Sequence, residues 1–168
     1  MAGADHGGES MNDAARHGIT DPLGFLAGSW TAQRRLLDRA AGVAGTFAGT
    51  TTFTPDHEEG LQWAEQGTVR WPSFEGPASR SYRVLRTTGA AIEVRFEDGR
   101  VLCCLDLTTG GARDEHACDP DTYRVDFAVR SSDRIEYCWD VTGPAKDFLL
   151  TTTLTRVRTR AKVGPHSL

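Results

Sequence analysis

The chain has 168 residues, of which 39% are hydrophobic and 25% charged, so it is long enough for one complete core. The net charge of −4 is mild and the Lys and Arg residues are dispersed rather than clustered, which argues against nucleic acid as a partner. No apolar run reaches the length of a membrane span, and the N-terminus lacks the basic and apolar regions of a signal peptide, so a cytoplasmic protein without a membrane partner is expected.

Residues 1–19 read as a loose N-terminal tail, with Met11 as an alternative start, and 159–168 as a flexible C-terminal tail. The segment 20–158 between them reads as one domain. It opens on a short helix: Asp21 is suited to accept from the first free amides, Pro22 fits the first helical position, and Gly28 suits the reversal that follows. Trp30 then enters the first strand as a large, rigid residue able to close one end of a cavity.

From residue 43 onward one unit repeats, a run rich in Thr, Val, Phe, Tyr and Trp followed by Gly, Pro or Asp turn chemistry. Strands are predicted at 30–38, 43–54, 61–71, 79–87, 90–97, 100–107, 112–118, 122–130, 134–142 and 146–157. Asp98-Gly99 is the sharpest hairpin signal, and a break is expected across Pro72 to Pro77. Short turns without crossover helices mean antiparallel, up-and-down connection, and such sheets commonly remove their edges by closing. The expected fold is therefore all-β: a single antiparallel barrel of about 8–10 strands, with the N-terminal helix plugging one end.

Alternation gives the expected interior. Leu61, Trp63, Glu65, Gly67, Val69 and Trp71 share one side of the third strand, and the apolar side must carry Glu65 inward. Arg80, Tyr82 and Val84 align in the fourth, Ile92, Val94 and Phe96 in the fifth, Tyr123, Val125, Phe127 and Val129 in the eighth, and Ile135, Tyr137, Trp139 and Val141 in the ninth. In the sixth strand Leu102, Cys104 and Asp106 oppose Val101, Cys103, Leu105 and Leu107, and periodicity does not choose between the faces.

Glu65 on an apolar face must be neutralised or paired, and Arg80 in the next strand is the expected partner. Such a pair can bind a polar ligand group, and Glu65 becomes a general base if burial raises its pKa. Tyr82, Tyr123 and Tyr137 can donate hydrogen bonds to a carbonyl or enolate oxygen. His116 is the only histidine inside the strand region and is suited to move protons near neutral pH. Lys146, after Gly143-Pro144, is placed to meet an anionic group at a barrel mouth. Of the four cysteines, Cys103, Cys104, Cys118 and Cys138, the adjacent pair points to opposite faces; without a signal peptide all four are expected as thiols. His116-x-Cys118 lacks the paired spacing of structural zinc sites, so no metal is expected.

Several stretches carry a family resemblance: Phe25 to Trp30 (Phe-Leu-Ala-Gly-Ser-Trp), Gly45-Thr46-Phe47-x-Gly49, Leu61-x-Trp63-x-Glu65-x-Gly67, Leu105-Asp106-Leu107, His116-x-Cys118-x-x-Asp121-x-Tyr123, and Trp139-x-Val141-x-Gly143-Pro144-x-Lys146-Asp147. Over about residues 23–157 the chain resembles an actinobacterial family of unknown function that is similar to the calycins, the superfamily of lipocalins and fatty-acid-binding proteins. The resemblance implies the barrel and no settled activity. The family pattern has a His just before Leu-Asp-Leu, where this chain has Cys103-Cys104.

The function expected from these residues is a small-molecule-binding barrel, favoured as a cofactor-independent enzyme of secondary metabolism that promotes cyclisation, isomerisation or elimination of a hydrophobic, partly oxidised substrate. Glu65, His116 and Tyr123 are the expected catalytic groups. Trp63, Arg80, Tyr82, Phe96, Cys104, Asp106, Cys118, Tyr137, Trp139 and Lys146 are the expected substrate contacts. The alternatives are a carrier of an apolar ligand and a haem or metal barrel using His116; a homodimer is left open.

Overall fold

The computed structural model describes residues 15–159. The short helix α1 (Pro22–Leu26) begins as its residues dictate: Asp21 Oδ1 accepts from the Gly24 amide at 3.1 Å, and proline stands at the first helical position. Gly28, at φ +117°, makes the reversal into the first strand, a backbone setting that L side chains rarely adopt.

Ten strands follow: β1 (Gly28–Asp38), β2 (Val43–Pro55), β3 (Leu61–Trp71), β4 (Phe74–Arg86), β5 (Ala91–Arg95), β6 (Val101–Asp106), β7 (Gly111–Cys118), β8 (Asp121–Ser131), β9 (Arg134–Thr142) and β10 (Asp147–Arg156). They form one antiparallel sheet in the order β6-β5-β4-β3-β2-β1-β10-β9-β8-β7, curled into a nearly closed barrel. The two edge strands, β6 and β7, meet across a seam, where Asp114 Oδ2 of β7 accepts from the Cys104 amide of β6 at 2.6 Å. At the helix end the segment before α1 spans this seam: the His17 amide donates to Val129 O and the Ile19 amide to Leu107 O, with Ile19 buried. These residues belong to the stretch expected as a loose tail; positions 1–14 and 160–168, Met11 among them, lie outside the described residues.

Two elements differ from expectation. β4 starts at Phe74, through the expected break, and Pro77 sits within it opposite Thr68. β5 pairs with β4 only from Arg83 to Arg86, so the Phe74–Ser79 stretch is a sheet edge, where a missing proline N–H costs no ladder bond. β5 is short and ends at an irregularity between Val94 and Arg95. The Asp98-Gly99 hairpin is as expected, with Gly99 at φ +89° and the Phe96 amide donating to Arg100 O.

The core follows from the alternation. Trp30, Ala32 and Leu36 of β1, Leu61 and Trp63 of β3, Val125, Phe127 and Val129 of β8, and Ile135, Tyr137, Trp139 and Val141 of β9 are all buried. Trp30 is fully buried, and its indole N–H donates to Leu26 O at 2.9 Å, tying the helix to the barrel floor. Arg156, at the end of β10, lies 4.1 Å over Trp30 and 5.2 Å over Phe25, and donates to Phe25 O at 2.7 Å. One cation thus serves two rings and the open carbonyls at the end of α1. Among the described residues, no helix is long and apolar enough to cross a membrane.

Candidate functional site

Midway up the barrel, three charged side chains from three strands converge on its axis. Glu65 is 2% exposed, and its carboxylate takes a bidentate pair of hydrogen bonds from Arg34 of β1, Nη1 at 2.6 Å and Nη2 at 2.8 Å. Arg80 of β4, directly opposite Glu65 in the ladder, donates its Nε at 2.9 Å, and the Thr51 hydroxyl of β2 donates at 3.2 Å. Arg34 also reaches Thr152 Oγ1 at 2.7 Å and the Tyr137 hydroxyl at 3.1 Å, while its guanidinium lies 5.0 Å over the Phe47 ring. Gly49 and Gly67, paired across β2 and β3, let these strands approach: a Cβ on Gly67 would stand 2.3 Å from Ala48 O and 2.8 Å from the Phe47 ring.

The electrostatics correct one expectation. Burial pushes the Glu65 carboxyl up, but the hydrogen bond from Arg34 and the charges of Arg80 and Arg34 outweigh it, holding the group below its ordinary value. Glu65 is therefore a fixed anion that anchors two cations, and not the base that burial alone would make. Both arginines stay charged, their pKa values raised despite burial, by Tyr137 and Glu65 at Arg34 and by Tyr137 and Tyr82 at Arg80. Burial also pushes the Tyr82 phenol up, so it remains a neutral donor.

Around this cluster runs a chain of aromatic contacts. Phe53 meets Trp63 at 5.2 Å, Trp63 meets Tyr82 at 5.3 Å and Tyr137 at 5.9 Å, Tyr82 meets Phe96 at 6.0 Å, Phe96 meets Tyr123 at 6.4 Å, and Tyr123 meets Trp139 at 6.2 Å. Phe127 stacks on Tyr137. Tyr82, Phe96 and Tyr123 are half-buried, as are Trp71 and Phe148 at the end away from α1. A cavity of about 140 Å³ lies among Leu36, Phe47, Val69, Ala78 and Leu150, with Arg34, Glu65 and Arg80 also in its lining. A larger recess, about 620 Å³, lies on the outer face of β7, β8 and β9, lined by Arg113, Glu115, Arg124, Asp126 and Asp140. Its cations are matched there, Arg113 with Asp126 and Arg124 with Glu115, so it offers solvated ion pairs and no unmet chemistry.

Among the described residues, two interior donors lack partners: Trp63 Nε1 and Arg80 Nη2 are buried without a hydrogen bond. Such groups cost free energy until an acceptor reaches them.

The structure brings Trp63, Glu65, Arg80, Tyr82, Phe96, Tyr123, Tyr137 and Trp139 into one interior. His116 stands opposite Tyr123 on β7, half-buried, and Cys118 stands opposite Asp121 at the strand end. Lys146 Nζ lies 2.9 Å from Asp121 Oδ2, and that carboxylate holds the ammonium above the usual lysine range. Two expected contacts are corrected: Cys104 and Asp106 are exposed, because β6 turns Cys103 and Leu105 inward, opposite Val94 and Ile92. Asp106 instead caps the following turn, accepting from the Thr108 amide and hydroxyl. Among the described residues, no group of three or more His, Cys, Asp or Glu side chains is arranged to hold a metal.

Arg34, Thr51 and Thr152 were not among the expected site residues. The signal for Arg34 is present in the sequence, since Trp30, Ala32, Arg34 and Leu36 alternate as one apolar face interrupted by a single cation.

A plugged, up-and-down antiparallel barrel with a polar knot in an aromatic interior is a lipocalin-like architecture. Residues 26–156 match the family of unknown function DUF6314, and the chain belongs to that family. Among solved structures it is similar to the S-type phycobiliprotein lyase CPES from Guillardia theta, at 11% identity and a TM-score of 0.61, over 86% of this chain and 96% of that one. It is also similar to EF1p2_mFAP2b bound to DFHBI (15% identity, TM-score 0.49, 83% of this chain and 99% of that one). A DUF3598-family protein of unknown function from Nostoc punctiforme matches at 11% identity and a TM-score of 0.47, over 84% of this chain and 51% of that one. No curated protein sequence matches the chain.

Proposed function

We propose that this barrel binds one small organic molecule in its interior, apolar along most of its length and bearing an oxygen acceptor at its inner end. The observation that carries this reading is the cavity itself, walled by Leu36, Val69, Ala78 and Leu150 and bordered by the Arg34–Glu65–Arg80 cluster, in a barrel whose other end is sealed by Trp30. Its apolar wall supplies affinity and the few polar groups supply orientation. The test is native mass spectrometry of freshly purified protein, followed by release of the bound species into organic solvent. A defined added mass, lost when Ala78→Phe fills the cavity, supports the reading; unloaded protein whose Trp63 and Trp139 fluorescence responds to no apolar compound sinks it.

A second reading, a cofactor-independent cyclase, isomerase or lyase, rests on His116 and Tyr123. They stand opposite each other on neighbouring strands, at the end away from the plug, where a proton donor and acceptor could flank a bound substrate. Glu65 enters that reading only as an electrostatic anchor. His116→Ala and Tyr123→Phe should then bind the molecule as the wild type does while losing turnover; unchanged product profiles in both variants would refute it.

A further inference from the structure

The polar knot in the barrel does not balance. Arg34 and Arg80 contribute two positive charges and Glu65 one negative charge, while the other groups in contact with it, Thr51, Thr152, Tyr82 and Tyr137, are neutral. The interior therefore carries a net charge of about +1 where charge is expensive to leave uncompensated. Glu65 has nothing left to offer: Oε1 accepts from Arg34 Nη1 and Arg80 Nε, and Oε2 from Arg34 Nη2 and Thr51. Those four bonds use the acceptor sites a carboxylate has.

The surplus is on Arg80. Among the described residues its bond to Glu65 is the one hydrogen bond it makes, and its Nη2 is buried without a partner. Its guanidinium borders the cavity, and its side chain is 27% exposed against 5% for Arg34. Trp63 Nε1 is a second buried donor without an acceptor among the described residues. An interior short of acceptors and long on positive charge selects an anion over a cation or a neutral donor. The size follows from the cavity, since an apolar space of about 150 Å³ is known to hold one benzene ring, and this one is about 140 Å³.

Building on the binding role proposed above, we infer that the cavity takes a small monocarboxylate, with a body about one aromatic ring in size among Leu36, Phe47, Val69, Ala78 and Leu150, and its carboxylate on the free edge of the Arg80 guanidinium. Arg34 does not bind the ligand directly; it fixes Glu65, which fixes Arg80. The arginine fork suits a planar carboxylate in a way a lysine ammonium does not.

The test uses 4-fluorobenzoate and its neutral counterpart 4-fluorobenzamide, with binding to the full chain followed by fluorine NMR at pH 7. The carboxylate should bind at least about tenfold more tightly than the amide, the ratio one charge-assisted hydrogen bond provides. Arg80→Gln should remove that advantage, bringing the affinities of acid and amide to within about twofold of each other. Ala78→Phe, which keeps every charge, should abolish binding of both, and it carries the test if Arg80→Gln does not fold. Equal affinity for acid and amide, or an Arg80→Gln protein that retains the preference, overturns the carboxylate assignment and leaves the binding role standing. Binding of neither probe also overturns the assignment, and overturns the binding role as well if native mass spectrometry finds the barrel unloaded.

Discussion

Glu65→Gln is the substitution on which the account of the interior depends most. It keeps the shape of the side chain but removes the one anion that two arginines share and turns part of an acceptor into a donor aimed at guanidinium N–H groups. Breaking a buried ion pair by removing one partner costs about 3–5 kcal/mol, because the remaining charge is stranded. Here two charges are stranded, one of them on the buried Arg34. For a chain of this size each kcal/mol shifts the melting temperature by about 2–4 °C, so a fall of about 6–20 °C is expected. Arg80→Gln leaves the bidentate Arg34–Glu65 pair intact and should cost no more than about 2 kcal/mol. Urea unfolding at pH 7 measures both. The same assay across acid pH supplies a sign. Glu65 titrates below its ordinary value of 4.5, so the unfolded chain binds more protons in that window; its stabilisation is complete above 4.5 and is lost as pH falls through the folded value. The gap between wild type and Glu65→Gln should narrow on acidification. A variant within about 1 kcal/mol of wild type at pH 7, or a gap that widens in acid, would refute the shared-anion reasoning.

Arg156→Met tests the floor: losing the contact over Trp30 and Phe25 and the bond to Phe25 O should cost about 2–4 kcal/mol in urea unfolding, with no effect on the preference for 4-fluorobenzoate over its amide. Gly67→Ala should destabilise by about 1–3 kcal/mol, since its Cβ would press on the β2 backbone and the Phe47 ring; circular dichroism melting would show it, and an unchanged melting point would mean the strands can separate at no cost.

Period-2 alternation made most of the interior legible. Trp63, Glu65 and Val69, or Ile135, Tyr137 and Trp139, leave no doubt about which side is wet, and the Glu65–Arg80 pairing follows once β3 and β4 form a hairpin. Arg34 was harder. Its partner Glu65 lies two strands away, across β2, and only the curvature of the barrel lets a side chain reach over Thr51 to meet it. In β6 the pattern failed because Val101 to Leu105 is apolar or nearly so on both faces; both Leu102 and Cys103 are buried beside the irregular Val94/Arg95 pairing. Pro77 misled as a breaker because its missing donor matters only where a second strand would have used it.

The position of the seam has a consequence for how the chain is threaded. β6 and β7, consecutive in sequence, are the sheet's two edges, while β1 and β10, from opposite ends of the described chain, lie side by side in its middle, Trp30 against Arg156. The barrel is two meanders sewn together by its most distant strands. Cutting the turn between β6 and β7 and linking β10 to β1 would turn the same architecture into a single run of nearest-neighbour hairpins, lowering the mean separation of contacting residues and favouring faster folding. The natural chain order thus makes assembly slow at its centre, and leaves the unladdered seam as the place where the wall is cheapest to open.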